Sequence, residues 1–182
     1  MLQPGPGRLL VATPHLYDPN FYRTVVLLLE HNDDGSLGVV LTRPTDEPAS
    51  VHVAAWAAEI SDPDVIFFGG PVRNEIAVGV AESPRTPPLG WRPVLGSIGL
   101  VDLGESRDVV GSVSRLRIFS GYAGWEAGQL EGELAEGGWF VLDASPDDVF
   151  TVYPGDLWHD VLRRQPGLVA AYATFPVDPT LN

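Results

Sequence analysis

Residues 24–42 read TVVLLLEHNDDGSLGVVLT. Two apolar runs flank Asn32-Asp33-Asp34-Gly35, and Asp-Gly between such runs is the strongest short signal for a β-hairpin. The first run shows almost no polar alternation, as expected of a strand covered on both faces. The spacing predicts strands over 24–31 and 36–42, with Arg43-Pro44 ending the second.

Before the hairpin, RLLVAT (8–13) predicts a strand and PHLYDPNFYR (14–23) a loop broken by Pro14 and Pro19. After it comes an acidic loop over 45–50. Ser50 then caps a predicted helix over 51–60, which Asp62-Pro63-Asp64 breaks. Strands follow at 65–68 and 76–81, joined by a turn through Gly69, Gly70 and Pro71. Residues 83–93 read as a Pro- and Gly-rich surface loop. A strand at 98–103, a polar helix near 105–114 and a strand at 116–119 come next. SGYAGW (120–125) reads as a glycine-rich turn into a helix near 126–136. A strand at 139–143, a short acidic turn capped by Ser145, a helix over 156–164 and an irregular or strand-like tail complete the chain. The order predicts an α+β fold in one domain over 1–182, with loosely ordered ends at 1–7 and 177–182.

Composition narrows the chemistry. The chain has 182 residues, no cysteine, and 11 basic residues that are all arginine. Disulfides, thiolate nucleophiles and cysteine metal sites are excluded, as are a lysine Schiff base and a P-loop lysine. A net charge of −13 repels the phosphates of nucleic acid at long range. Arg115 and Arg117, on alternate strand positions, and Arg163-Arg164 read as solvated or salt-bridged surface. No apolar run approaches the roughly 20 residues of a membrane helix. The N-terminal apolar stretch is too short for a signal peptide, so a cytoplasmic protein is expected.

No catalytic constellation emerges. His15, His31, His52 and His159 make no H-x-x-x-H pair, and no metal site or cofactor is expected. Glu30 and His31 are strand neighbours and point to opposite faces. Gln129 and Glu133 share a helix face that reads as solvated acidic surface. Gly96-Ser97-Ile98-Gly99 lacks the spacing of a nucleophile elbow. The helix start after SGYAGW offers unpaired N–H groups that could hold an anion. If that turn and the Gly69-Gly70-Pro71 turn leave one end of a sheet, they border one crevice.

Four segments together carry a resemblance: LVATPHLYDPNFYRTVVLLLEHNDDGSLGVVLTRP, FFGGPV, FSGYAGWEAGQLEGEL and LWHDVLRR. In this order, from about Arg8 to the C-terminus, they resemble the AlgH/YqgE family of small bacterial proteins. The matching positions are Asp18, Pro19, Phe21, Arg23, Glu30, His31, Gly35, Gly38, Arg43, Pro44, Gly69, Gly70, Pro71, Gly121, Tyr122, Gly124, Trp125, Gly128, Gln129, Leu130 and Glu131. Thr42 departs from the asparagine often found before Arg-Pro. The resemblance implies a branched mixed sheet, part of it barrel-like, surrounded by helices. It implies a cytoplasmic protein without established enzyme activity, and some members carry a transcriptional-regulator label.

Three functions compete. The first is a regulatory or binding module acting through a protein partner or small ligand. Its candidate binding residues are Arg43, Gly69, Gly70, Pro71, Gly121, Tyr122, Gly124, Trp125, Gln129 and Glu131. The second is a hydrolase-like enzyme using Glu30, His31, Arg43 or Glu131 near the two glycine turns. The third is a direct DNA binder, which the charge disfavours. Oligomeric state is not encoded in any motif.

Overall fold

The hairpin organises the computed structural model, which describes residues 2–83, 89–105 and 113–177. Strands β2 (Val25–Asn32) and β3 (Gly35–Val40) pair antiparallel, with Asn32 opposite Gly35. The loop is therefore Asp33-Asp34, and Gly35 already lies in the ladder. Its φ of +136° suits glycine, and a Cβ there would stand 2.3 Å from the Trp125 carbonyl oxygen. The Asp-Gly signal found the hairpin, but its glycine serves the approach of a third strand.

Outward from the hairpin lie β1 (Arg8–Ala12) against β2, and β9 (Trp139–Asp143) against β1. On the other side of β3 runs β8 (Arg115–Glu126), twelve residues long. The first half of β8 pairs with β5 (Val72–Glu82), which continues through β7 (Ile98–Val101) to β6 (Arg92–Leu95). The two-residue β4 (Phe67–Phe68) joins β8 in parallel, beside the main path. Strand β8 is thus the branch point of a mixed, curled half-barrel sheet. The α+β class, the branching and the barrel-like part agree with the expectation.

The apolar run of β2 is covered on both faces. Val25, Leu27 and Leu29 face one core with Phe67, Phe119, Leu157, Trp158, Val161 and Leu162. Val26 and Leu28 face a second with Trp125, Leu130 and Trp139. Burying each such side chain contributes about 1.5–3 kcal/mol. A third cluster joins Trp56, Ala81, Leu116 and Ile118.

Several elements differ from expectation. SGYAGW is no turn; it is strand, with Gly121 kinking it at φ +67°. The helix begins only at Gln129 (α2, Gln129–Ala135), after Gly128 in the left-handed conformation. The 51–60 helix shrinks to α1 (Ala49–His52) and a 3-10 turn over Ala54–Trp56. Ser50 does not cap it, because its backbone N–H and hydroxyl both donate to Asp64. Part of the expected 83–93 loop is β6, concealed in the sequence by Pro93. Ser145 and Asp148 form a capping box for α3 (Pro146–Val149). The late helix is α4 (Leu157–Arg163). The tail carries α5 (Leu168–Ala171) and a 3-10 turn over Tyr172–Thr174 instead of a strand. The polar helix near 105–114 falls largely outside the described residues.

Candidate functional site

Two of the segments that carry the resemblance, the hairpin and FSGYAGWEAGQLEGEL, meet at the hairpin tip. Ser36 stands opposite His31 on β2 and opposite Trp125 on β8. Helix α2 packs on that face and buries Leu130 against Trp125 and Trp139. Glu133 fixes it there, since one carboxylate oxygen accepts both indole N–H groups, from Trp125 at 2.9 Å and Trp139 at 2.8 Å. The other oxygen accepts from the Gln129 amide at 3.0 Å. The acidic face expected to be solvated is therefore a clamp. Phe21 closes the aromatic group, stacking on Trp125 with centroids 5.9 Å apart and meeting Trp139 edge-on at 5.5 Å.

This clamp brings Glu131 to His31, with Nε2 and Oε1 at 3.7 Å. His31 Nδ1 lies 2.8 Å from the Ser36 hydroxyl. The order Ser36, His31, Glu131 resembles a hydrolase relay. Yet Ser36 is 4% exposed, so an incoming acyl group has little access to its hydroxyl. Sequence reasoning passed over Ser36 and set Glu133 aside as solvated surface. The hairpin register could have revealed the first, because it sets His31 and Ser36 face to face.

Glu30 points away from His31, as alternation predicts, and pairs with Arg92 of β6. It lines a cleft of about 370 Å³ with Asn32, Asp34, Gly35, Ser36, Leu37 and Trp125. By alternation Glu30 and Leu37 face the opposite side of the sheet from Ser36 and Trp125, which therefore contribute backbone to the cleft.

The remaining candidates gather elsewhere. Gly69 N–H donates to the Ser120 carbonyl, and the Gly69 carbonyl accepts from Val40. A Cβ on Gly70 would sit 2.2 Å from the Tyr122 backbone, and one on Gly121 would sit 2.9 Å from the Gly70 carbonyl oxygen. The two glycine segments do meet, backbone against backbone. Pro71 follows this contact, and Gly124 pairs with Leu37. Because SGYAGW is strand, the helix start expected directly after it lies at Gln129 instead. Arg43 turns its guanidinium to the Tyr22 carbonyl at 2.6 Å, and burial lowers its pKa from the ordinary arginine value.

In the loop before β2, Asp18 Oδ1 accepts from the Asn20 N–H across Pro19. Arg23, at φ +52°, lies over the Trp158 ring at 4.5 Å and reaches the carbonyls of Phe175 and Pro176. No group of three or more His, Asp or Glu suited to a metal occurs among the described residues. None of the helices described is long and apolar enough to cross a membrane.

Arg115, Arg163 and Arg164 are salt-bridged as expected, and Arg117 alone departs from that surface. Arg117 is 1% exposed and donates to the carbonyls of Val149 (2.8 Å), Thr151 (3.0 Å) and Asp62 (2.6 Å). Burial drives its pKa down to about 10. Arg115 pairs with Glu82 and Asp147, and Arg164 with Asp148. Their carboxylate bonds raise both guanidinium pKa values, and Arg115 in turn lowers that of Glu82.

A family model described as AlgH-like matches residues 9–170. A UPF0301 protein of Streptomyces coelicolor is 53% identical over 182 residues, covering 97% of this chain and 94% of its own. One from Thermobifida fusca is 46% identical over 188 residues, covering 97% and 94%. The crystal structure of a Corynebacterium diphtheriae protein superposes with a TM-score of 0.89 at 32% identity, over 96% of this chain and 94% of that one. The solution structure of the AlgH protein from Pseudomonas aeruginosa gives a TM-score of 0.63 at 30% identity, over 100% and 96%.

Proposed function

The chain belongs to the AlgH-like family, and from that premise we propose that it is a binding module, acting through a protein partner or a small ligand and without catalysis. The observation that carries this reading is the Glu133 clamp. The most distinctive motif in the chain builds a rigid platform under the hairpin tip, with its carboxylate oxygens occupied by two indoles and an amide. Rigid scaffolds that present a shallow cleft suit recognition. Of the enzyme candidates only His31 and Glu131 meet, beside a buried serine, while Glu30 goes to Arg92 and Arg43 to a carbonyl.

The cleft beside the platform takes the ligand. Glu30, paired with Arg92, and Asp34 rim it, and the Asp34 carboxylate favours a ligand or partner segment that carries positive charge and hydrogen-bond donors. The test is titration calorimetry at low salt with spermidine and with an arginine-rich peptide, on wild type and Asp34→Asn. Saturable binding weakened by the substitution supports the proposal. Absence of binding, or binding equal in both proteins, rejects the cleft.

The same charge distribution argues that any regulatory role avoids direct contact with DNA. Arg117 is buried, while Arg115 and Arg164 are neutralised by carboxylates. Fluorescence anisotropy with duplex DNA at low salt, where phosphate contacts are strongest, should show no change. A salt-sensitive rise in anisotropy would overturn this part.

A further inference from the structure

We propose that the outer rim of β9 is a docking site for a short, uncharged and extended segment of a partner protein, which joins the sheet there as a further strand. The site shares no lining residue with the hairpin cleft. Antiparallel strands alternate between residues that exchange hydrogen bonds and residues whose N–H and C=O groups point away. The Thr13 N–H donates to the Gly138 carbonyl at 2.9 Å, and the register sets Val11 opposite Phe140 and Leu9 opposite Leu142. Residues 138, 140 and 142 therefore bond to β1, while Trp139, Val141 and Asp143 turn their backbone groups to the free side. The Asp143 carbonyl is taken, accepting from Arg164 Nη2 at 3.2 Å. The outward N–H and C=O groups of Trp139 and Val141 have no hydrogen-bond partner among the described residues. Both residues are only 2% exposed, and enclosed backbone groups without a partner are rare.

A groove of about 460 Å³ runs along this rim. Phe140, Val141 and Leu142 all line it, although the side chains of Phe140 and Leu142 belong to one core and that of Val141 to the other. The strand edge is what these three neighbours have in common. Leu2, Gln165, Pro166 and Val169 complete the walls. None of these side chains is charged, in a chain of net charge −13, so the groove matches an uncharged occupant. The bare groups of Trp139 and Val141 call for donors and acceptors at every second residue, which an extended backbone supplies. Because Val141 is so nearly enclosed, a single extended chain fits the rim. The edge of a second folded sheet would bring its own loops and helices against Leu2 and α5.

The opposite edge of the sheet is guarded, and the contrast marks β9 as open. Strand β6 carries Pro93, its register with β7 is irregular there, and Arg92 reaches across to Glu30. Gly7 presses on it so closely that a Cβ would stand 2.8 Å from the Val94 carbonyl oxygen. Proline, charge, irregular register and a covering segment all protect an edge from pairing. Strand β9 has no proline, and its five residues pair with β1 without a break in register. An apolar edge of this kind is a template for a further strand.

NMR titration of the isotope-labelled full chain tests the site, with the peptide acetyl-Thr-Val-Thr-Val-Thr-amide as probe. Saturable shifts should centre on Trp139 and Val141, and solvent exchange of the Val141 N–H should slow about tenfold as it gains an acceptor. The same peptide N-methylated at its three central residues keeps its side chains and loses the ladder donors, so it should not bind. Leu2→Asp places a charge in the groove from a residue that is 39% exposed. It should leave the fold intact and weaken binding about tenfold, or about 1.4 kcal/mol. Asp34→Asn should bind the peptide as wild type does, which separates this site from the hairpin cleft. Absence of shifts at β9, equal binding of the methylated peptide, or equal binding by Leu2→Asp would overturn the proposal. So would shifts at Trp139 and Val141 that grow with protein concentration alone, since a second copy would then be the occupant.

Discussion

Replacing Arg117 by methionine separates two opposing effects at one buried site. Its guanidinium is enclosed, and a pKa brought down to about 10 means that the folded state disfavours the charge by about 3 kcal/mol. Methionine removes that penalty. It also strips three carbonyls, on Val149, Thr151 and Asp62, of a charged donor. Bonds to charged groups contribute about 1.5–3 kcal/mol each, so the loss lies between about 5 and 9 kcal/mol. The difference is a net destabilisation of about 3 kcal/mol, a large share of the 5–15 kcal/mol typical of a domain. Urea unfolding at pH 7, followed by tryptophan emission, measures it. A variant as stable as wild type would refute the reasoning, because the carbonyls would then need no donor. The pH dependence gives a second check. The unfolded chain holds the Arg117 proton more tightly than the folded one, so wild type gains stability relative to the variant as pH rises through 10. Between pH 8 and 10.5 the gain is about 1 kcal/mol, and a flat difference would contradict the lowered pKa.

Glu133→Ala leaves two indole N–H groups without their acceptor and should cost about 2 kcal/mol, with a red shift of tryptophan emission as α2 loosens. Gly70→Ala drives a Cβ into the Tyr122 backbone at 2.2 Å and should prevent soluble expression. Gly128→Ala meets nothing within 4 Å and should cost only about 1 kcal/mol for its left-handed backbone; equal effects at the two glycines would show that contact is not the cause. Glu82, whose carboxyl is lowered chiefly by the Arg115 bond, contributes stability that is present above the ordinary carboxylate range and lost as pH falls through its own lower pKa. Glu82→Gln should therefore flatten the acid limb of the stability profile, and an unaltered limb would place that dependence on other carboxylates.

Local patterns made much of the fold legible. The apolar run at 25–29 announced a doubly covered strand, and the turn residues announced its hairpin. Residues 139–143 and the helix near 157–163 were equally plain. Reading failed where tertiary contact overrides local chemistry. SGYAGW has turn composition, yet its glycines permit β8 to press against Gly69 and Gly70, and only the neighbouring backbone reveals that use. Ser50 looks like a cap until Asp64, fourteen residues away, claims it. Arg117 sits in a pattern that reads as surface, because no local feature shows that the 62 and 147–151 segments close over it. At the candidate site, Trp125, Gln129 and Glu131 converge with His31 as a group, whereas Arg43 and the glycine pair serve the framework. Alternation correctly separated Glu30 from His31. The pairing of Glu133 with two tryptophans needed the third dimension.

Strand β8 is shared between both halves of the sheet, and this bears on how the chain is made. The edges of β3 and β5 that β8 covers are both synthesised before it. Until residues 115–126 leave the ribosome, the nascent chain carries two bare edges and neither half is finished. When β8 arrives it zips onto both, so closure is one late and far-reaching event, of the kind that slows folding. Chains stalled or truncated before Arg115 should therefore depend heavily on chaperones. A single strand, inserted after both of its neighbours, makes two half-sheets into one cooperative body.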